Sequence, residues 1–250
     1  MIVVFDLDGT ICFNGKEIPQ GIQRELLNLI DLKHTVIFAS ARPVRDMLPL
    51  LEEDTLSRQL LIGGNGSITH EHHTLQAQAY IDPTIFETIK EMITAMNLDY
   101  LIDTEWDYAK KITVPNSIEN KIDAQQLAEC IPMDAVTKAI KIILLNLNEE
   151  QITQIERRLA REAVVMLRHS ESLNLDITAQ HINKYETLKT FIQNKPYIAF
   201  GNDHNDIDLL KNATFSVSVG TNPATTAVAS TTVEANEQAV MQAIRSLVAE

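Results

Sequence analysis

The hydrophobic pattern along the chain has two textures. From Met1 to about Leu61, short runs rich in Val, Ile and Phe ("IVVF", "TVIFAS", "QLLIGG") alternate with stretches of helical periodicity. "PQGIQRELLNLIDL" puts Ile22, Leu26, Leu27, Leu29 and Ile30 on one side of a helix that Pro19 opens. "PVRDMLPLLEED" reads as a second helix, with Pro43 at its start and Pro49 as a kink. The same texture returns toward the C-terminus in "YIAFGN", "NDIDLLKN", "FSVSVG" and "EQAVMQAIRSLVA". Uninterrupted apolar runs suit strands covered on both faces, and their alternation with helices is the mark of βαβ units and a parallel sheet.

Between Ile81 and Gln180 the pattern changes. "IFETIKEMITAM", "DAQQLAECI" and "EEQITQIERRLA" read as helices, while "DYLID", "DYAKKITV", "AIKIILLNL", "AVVMLRH" and "SLNLDIT" read as strands, several paired as hairpins. This is an α+β insert with its own core. Residues 1–80 and 181–250 then form one α/β domain and residues 81–180 the second.

Composition narrows the function classes. The 250 residues carry a formal charge of -13, and counterion release on a nucleic acid needs clustered Lys and Arg that this chain does not show. No nucleic-acid partner is expected. No apolar stretch approaches the roughly 20 residues of a membrane span, and no basic leader opens the chain, so no membrane role is expected either. The two cysteines, Cys12 and Cys130, show no metal or disulfide spacing, which fits a reducing cytoplasm.

The strand "MIVVF" ends in acid, "DLDGT". Residues two apart on a strand share a side, and parallel sheets bind ligands beyond the carboxyl ends of their strands, so Asp6 and Asp8 are carried to where a site belongs. Three further polar groups lie at matching places. "TVIFASAR" ends in Ser40 with Arg42 behind it, "GNDHND" clusters Asn202, Asp203, Asn205 and Asp206, and Lys184 precedes the returning strand. Acids alone repel a phosphate. Acids that hold a divalent cation, beside a lysine and a hydroxyl, bind one, because Mg2+ prefers hard oxygen ligands together with substrate phosphate.

"DLDGT", the Ser40 strand end, Lys184 and "GNDHND", in that order, resemble the four motifs of the haloacid dehalogenase-like (HAD) phosphohydrolase superfamily. The insert between the second and third motifs resembles the C2-type cap of Cof-like members. The resemblance implies a Rossmann-like parallel sheet with helices on both faces (the HAD-like core), plus an inserted α+β cap domain whose closure over the site excludes water. It implies a Mg2+-dependent phosphatase acting on small phosphomonoesters such as sugar phosphates. Asp6 is then the nucleophile that becomes an aspartyl phosphate, Asp8 the acid and base, and Lys184 the charge that offsets both. Ser40 and a backbone amide, with Gly9, hold the phosphoryl group; Arg42, in the first turn after its strand, either meets the phosphate as well or pairs with a helix carboxylate. Asp6, the carbonyl of Asp8, and Asn202, Asp203 or Asp206 hold the metal.

The fourth motif departs from the usual GDxxND, which places Asp where this chain has Asn202. Either Asn202 keeps the ligand position or the neighbouring Asp203 takes it over. Asn65 and Gly66 in "GGNGS", with Asn205, are candidate substrate contacts, although an Asn-Gly turn explains the first two equally well. "THEHHT" reads as an exposed hairpin tip and Cys12 as a packed small hydrophobe. Two other functions share the scaffold: a sugar phosphomutase with the same nucleophile, and a non-catalytic phosphate- or metal-binding protein.

Overall fold

The computed structural model describes residues 1–51, 54–169 and 173–247. The opening apolar run forms β1 (Ile2–Phe5), followed by α1 (Gln20–Asp31), β2 (Thr35–Ala39), α2 (Val44–Met47), α3 (Asp54–Ser57), β3 (Leu60–Gly63), β4 (Ile68–Glu71) and β5 (Thr74–Ala77). Then come α4 (Pro83–Ala95), β6 (Asp99–Asp103), β7 (Tyr108–Lys111), β8 (Lys141–Leu145), α5 (Glu149–Leu159), β9 (Val164–His169) and β10 (Asn174–Ala179). The chain closes with α6 (Lys184–Ile192), β11 (Tyr197–Gly201), α7 (Ile207–Lys211), β12 (Phe215–Val219), α8 (Pro223–Thr226), β13 (Thr231–Val233) and α9 (Glu237–Ser246). These elements divide into two compact units, Met1–Leu75 with Asn183–Glu250, and Gln76–Ile182.

In the first unit the strands lie in the order β13-β12-β11-β1-β2-β3-β4-β5. Every pairing from β13 to β3 is parallel, and β4 joins antiparallel. Val4, Ile37, Ala39, Leu60, Ile62 and Ala199 pack against Leu188 and Ile192 of α6 and Leu209 and Leu210 of α7. Phe5 stacks on Phe200 with ring centroids 4.8 Å apart and leans on Phe38 at 6.5 Å. α1 runs along α9 and against β2, burying Ile22, Leu26 and Leu29. Each such fully buried side chain contributes about 1.5–3 kcal/mol by leaving water, so the sheet that carries the strand ends is rigidly held. The β4–β5 turn puts His72 and His73 at φ 49° and 63°, the two left-handed residues of a tight hairpin, and both are exposed.

The insert is an antiparallel sheet of order β7-β6-β8-β10-β9. Alternation splits its strands between two cores. Tyr100, Ile102, Ile142, Leu144, Leu175 and Ile177 meet Phe86, Ile89 and Ile93 of α4 and Ile152 and Ile155 of α5. Leu101, Tyr108, Ile143 and Leu145 gather with Ile122 in a second cluster.

Two helices expected from periodicity do not form as read. "DAQQLAECI" is a run of turns, because Asp123 accepts hydrogen bonds from Leu127 N (2.7 Å) and Ala128 N (3.2 Å). The next residues then pair with the edge strand, Ile131 N donating to Tyr108 O at 2.8 Å. Satisfying β7 outweighs weak local propensity. "PVRDMLPLLEED" is helical only to Met47 and continues as a 3-10 turn at Leu48–Leu50, since Pro49 has no N–H to extend the ladder. Its Glu52 and Glu53 lie outside the described residues. Among the described residues no helix is long and apolar enough to cross a membrane.

Candidate active site

The strand order reverses at β1. Chain order runs one way through β2 and β3 and the other way through β11, β12 and β13. A parallel sheet opens a crevice at such a point, beyond the carboxyl ends of its strands. Asp6 follows β1, Ser40 follows β2 and Asn202 follows β11, so three polar residues converge there.

Asp6 is 4% exposed and held by both carboxylate oxygens. Its Oδ1 accepts from Lys184 Nζ at 2.7 Å and its Oδ2 from Thr10 Oγ1 at 2.8 Å. Lys184 opens α6, which Asn183 caps by accepting from Glu186 N. It also donates to Asp206 Oδ1 at 2.7 Å. Burial, and then the charge of Asp206, push the Asp6 carboxyl up from 3.8 to about 7 against the pull of Lys184. Burial alone would lower the lysine, but Asp206 and Asp6 outweigh it and hold the ammonium above its ordinary value.

Asp8 lies one alternation further on. Arg42 grips it with two parallel bonds, Nε to Oδ2 at 2.6 Å and Nη2 to Oδ1 at 2.7 Å. The same Nη2 donates to Gly15 O at 2.8 Å, so the guanidinium, expected on a phosphoryl group, is directed at Asp8 and the loop behind it. Ser40 is 1% exposed, and its Oγ accepts from Arg42 N at 3.1 Å.

The fourth motif resolves into three different placements. Asp206 shapes the loop: its Oδ2 accepts from Asn202 N (2.9 Å) and Asp203 N (3.1 Å), while its Oδ1 holds Lys184. Asp203 Oδ1 accepts from His204 N at 2.7 Å and Asn222 Nδ2 at 3.2 Å, on a half-exposed side chain. Asn202 instead reaches the acids. The inward atom of its amide lies 3.1 Å from Asp6 Oδ2, 3.0 Å from Asp8 O and 3.1 Å from Thr10 Oγ1.

Gly9 makes that approach possible. Its φ of +80° suits glycine alone, and a Cβ there would stand 2.2 Å from Asn202 Nδ2. Its amide, expected on phosphate, donates to Cys12 O at 2.9 Å and so closes the turn. Thr10 is the residue that sequence reading does not single out. It lies within "DLDGT", and the signal that could have found it is the glycine beside it, which turns the chain so that the hydroxyl folds back onto an acid four residues earlier.

The donor set fits a divalent cation. Among the described residues no group of three or more His, Cys, Asp and Glu side chains could hold a metal. Asp6 Oδ2, the Asp8 carbonyl and an inward Asn202 Oδ1 nevertheless make three hard oxygens. Together they would hold a divalent cation, which would supply positive charge beside Asp6.

The remaining candidates sit beside this cluster. Asn65, left-handed at φ 56° and buried, accepts from Asn205 Nδ2 at 2.9 Å, and its N–H donates to Ser40 O at 3.0 Å. Gly66, at φ +102°, lies so close to Asn183 that a Cβ would come within 2.4 Å of its carbonyl oxygen. The Asn65 turn is thereby locked to both the Ser40 strand end and the cap of α6.

A search of curated proteins finds no match to this sequence. Solved structures do resemble it. A haloacid dehalogenase-like hydrolase from Bacteroides thetaiotaomicron superposes with a TM-score of 0.84 at 18% identity, covering 98% of each chain. A HAD subclass IIB sugar phosphatase gives 0.82 at 18% over 98% of each chain, and a haloacid dehalogenase-like hydrolase from B. subtilis gives 0.82 at 17% over 99% of each. At these identities the likeness is one of fold. A family model described as haloacid dehalogenase-like hydrolase matches residues 3–244. With a match over nearly its whole length and the acids at the strand ends where such a site is built, the chain belongs to the haloacid dehalogenase-like hydrolase family.

Proposed function

We propose that this chain hydrolyses small phosphomonoesters, sugar phosphates among them, through an aspartyl-phosphate intermediate on Asp6, with Mg2+ as cofactor. The observation that carries the reading is the carboxylate of Asp6. It is buried at a strand end, oriented through both oxygens by Lys184 and Thr10, and followed two residues later by a second acid. A nucleophile fixed in this way has lost the rotational freedom that otherwise opposes attack.

In the first half-reaction an Asp6 oxygen bonds to phosphorus as the ester P–O bond breaks, and the departing alkoxide takes a proton from Asp8. In the second, Asp8 takes a proton from water, whose oxygen bonds to phosphorus while the acyl phosphate P–O bond breaks, leaving inorganic phosphate and the restored carboxylate of Asp6. Arg42 acts as a positioning residue, aiming Asp8 through its two parallel bonds. Lys184 offsets negative charge on Asp6 and on the phosphoryl group, and Ser40 presents its hydroxyl at the neighbouring strand end. Asp6, the Asp8 carbonyl and Asn202 would hold a divalent cation, which would supply the positive charge that lets an acidic site accept a phosphate.

The test is phosphate release from a panel of sugar phosphates and other small phosphomonoesters, with and without Mg2+, for the wild type and Asp6→Asn. The expected result is Mg2+-dependent release that the substitution reduces by about a thousandfold or more. Release that survives Asp6→Asn, or phosphate retained on an isomerised sugar, overturns the reading.

A further inference from the structure

Asn202 occupies a place where an amide can do two things that a carboxylate cannot. Its polar end is enclosed by Asp6 Oδ2, Asp8 O and Thr10 Oγ1 at 3.0–3.1 Å, with Gly9 against the opposite side of the amide. Rotating an amide by 180° exchanges oxygen for NH2 with almost no change of shape. With the oxygen inward, Oδ1 accepts from the Thr10 hydroxyl but faces two further oxygens, a contact that is repulsive unless a cation lies between them. With the NH2 inward, Nδ2 donates toward Asp6 Oδ2, Asp8 O and Thr10 Oγ1. Thr10 can accept because its own proton goes to Asp6 Oδ2 at 2.8 Å.

We propose that Asn202 is a reversible gate on the cation site: the NH2 closes the site when no cation is bound, and the amide must turn its oxygen inward to admit one. The closed form replaces a cation's charge with hydrogen bonds from Nδ2, so the acids around Lys184 stay satisfied in the metal-free protein. Opening exchanges those bonds for a single neutral ligand, which makes cation binding weaker and dependent on the turn. A carboxylate at position 202 has no closed form. It would add negative charge beside Asp6 and Asp206 when the site is empty, and a stronger ligand when it is filled.

The inference rests on the proposed reading only in that a divalent cation binds between Asp6 and the Asp8 carbonyl. Its test therefore uses no substrate, and loss of turnover and loss of the gate are seen separately. Thermal unfolding and calorimetric Mg2+ titration are compared for the full-length wild type and Asn202→Asp. In EDTA the variant is expected to melt below the wild type, and saturating Mg2+ is expected to raise its melting temperature by more than it raises that of the wild type. The Mg2+ dissociation constant is expected to fall about tenfold or more. A variant that melts at or above the wild type in EDTA, or binds Mg2+ no more tightly, overturns the gate, and so does a wild type that binds no Mg2+ at all.

A second measurement needs no variant. The side-chain amide protons of Asn202, followed by NMR in the wild type, are expected to be protected from exchange in EDTA and to lose that protection as Mg2+ saturates. Protons that exchange freely in EDTA, or do not respond to Mg2+, overturn the proposal independently.

Discussion

In the proposed reaction Asp8 loses and regains a proton in each cycle while Arg42 holds it through two parallel bonds. The clamp fixes direction. A carboxylate held by two parallel bonds cannot rotate, so the oxygen that serves the leaving group stays aimed. The contribution of such an acid depends on how much the leaving group needs a proton. An alkoxide needs one badly and a nitrophenolate hardly at all, so Asp8→Asn and Arg42→Ala should slow hydrolysis of sugar phosphates far more than of p-nitrophenyl phosphate. General acids contribute about a hundred- to ten-thousandfold, and most of that gap should appear for Asp8→Asn, with a smaller part for Arg42→Ala. Equal losses on both substrates would show that neither residue acts on the leaving group. Asp6, Ser40 and the pair Asn202 and Asp203 were legible as polar residues that close apolar runs, and Asp8 because it shares a side with Asp6, which fixes their places before any contact is known. The grip of Arg42 on Asp8 was not, since it joins residues 34 apart by side-chain direction alone. Nor was the contrast of Asn202 with Asp203: adjacent residues diverge because Asp206 gathers both their N–H groups into one turn.

At the scale of elements, the insert shows how one acid can fasten a loop to a sheet. Asp99, at the start of β6, accepts from Thr113 N (2.9 Å), Thr113 Oγ1 (2.8 Å), Val114 N (3.1 Å) and Asn146 Nδ2 (3.2 Å). Asn116 extends the network to Asn146 and Asn174, tying the segment after β7 to β8 and β10. Burial would raise the Asp99 carboxyl, but Thr113, Val114 and Asn146 outweigh it and hold the group below its ordinary 3.8. Asp99→Ala strands two backbone donors and should cost about 2–3 kcal/mol at pH 7, read by urea unfolding. Because the folded value is the depressed one, the part of this contribution that depends on ionisation is complete above the unfolded value near 3.8 and is lost as pH falls through the lower folded value. The gap between wild type and variant should therefore narrow below about pH 4; a gap that persists undiminished to pH 3 would refute the assignment. α4 and α5 were legible because long apolar periods leave few alternatives. Residues 124–131 were not, because their local helix pattern competes with the hydrogen bonds that Asp123 and the edge of β7 demand, and those are made only once the sheet exists.

For the whole molecule the deciding quantity is charge. The chain carries -13, and the site repeats the imbalance locally, with Asp6, Asp8, Asp203 and Asp206 set against Lys184 and Arg42. A divalent cation is drawn to this field and a phosphate ester is repelled by it. The two ligands must therefore respond to salt with opposite signs. Raising monovalent salt from about 10 mM to about 150 mM shortens the screening length from roughly 30 Å to roughly 8 Å, which removes most of the long-range part and little of the contact part. The Mg2+ dissociation constant, measured without substrate, should then rise several-fold. KM for a dianionic phosphate ester, measured at saturating Mg2+, should fall, and by less, because the bound cation already cancels two charges. Contact terms alone would leave both constants nearly unchanged. If KM instead rose with salt, attraction from Lys184 and the bound cation would outweigh repulsion from the rest of the chain, and the acidic surface would have no part in how substrate arrives. A fall in KM together with weaker Mg2+ binding would mean that one acidic field draws the cation and opposes the phosphate, so that the bound cation offsets a repulsion the chain itself creates.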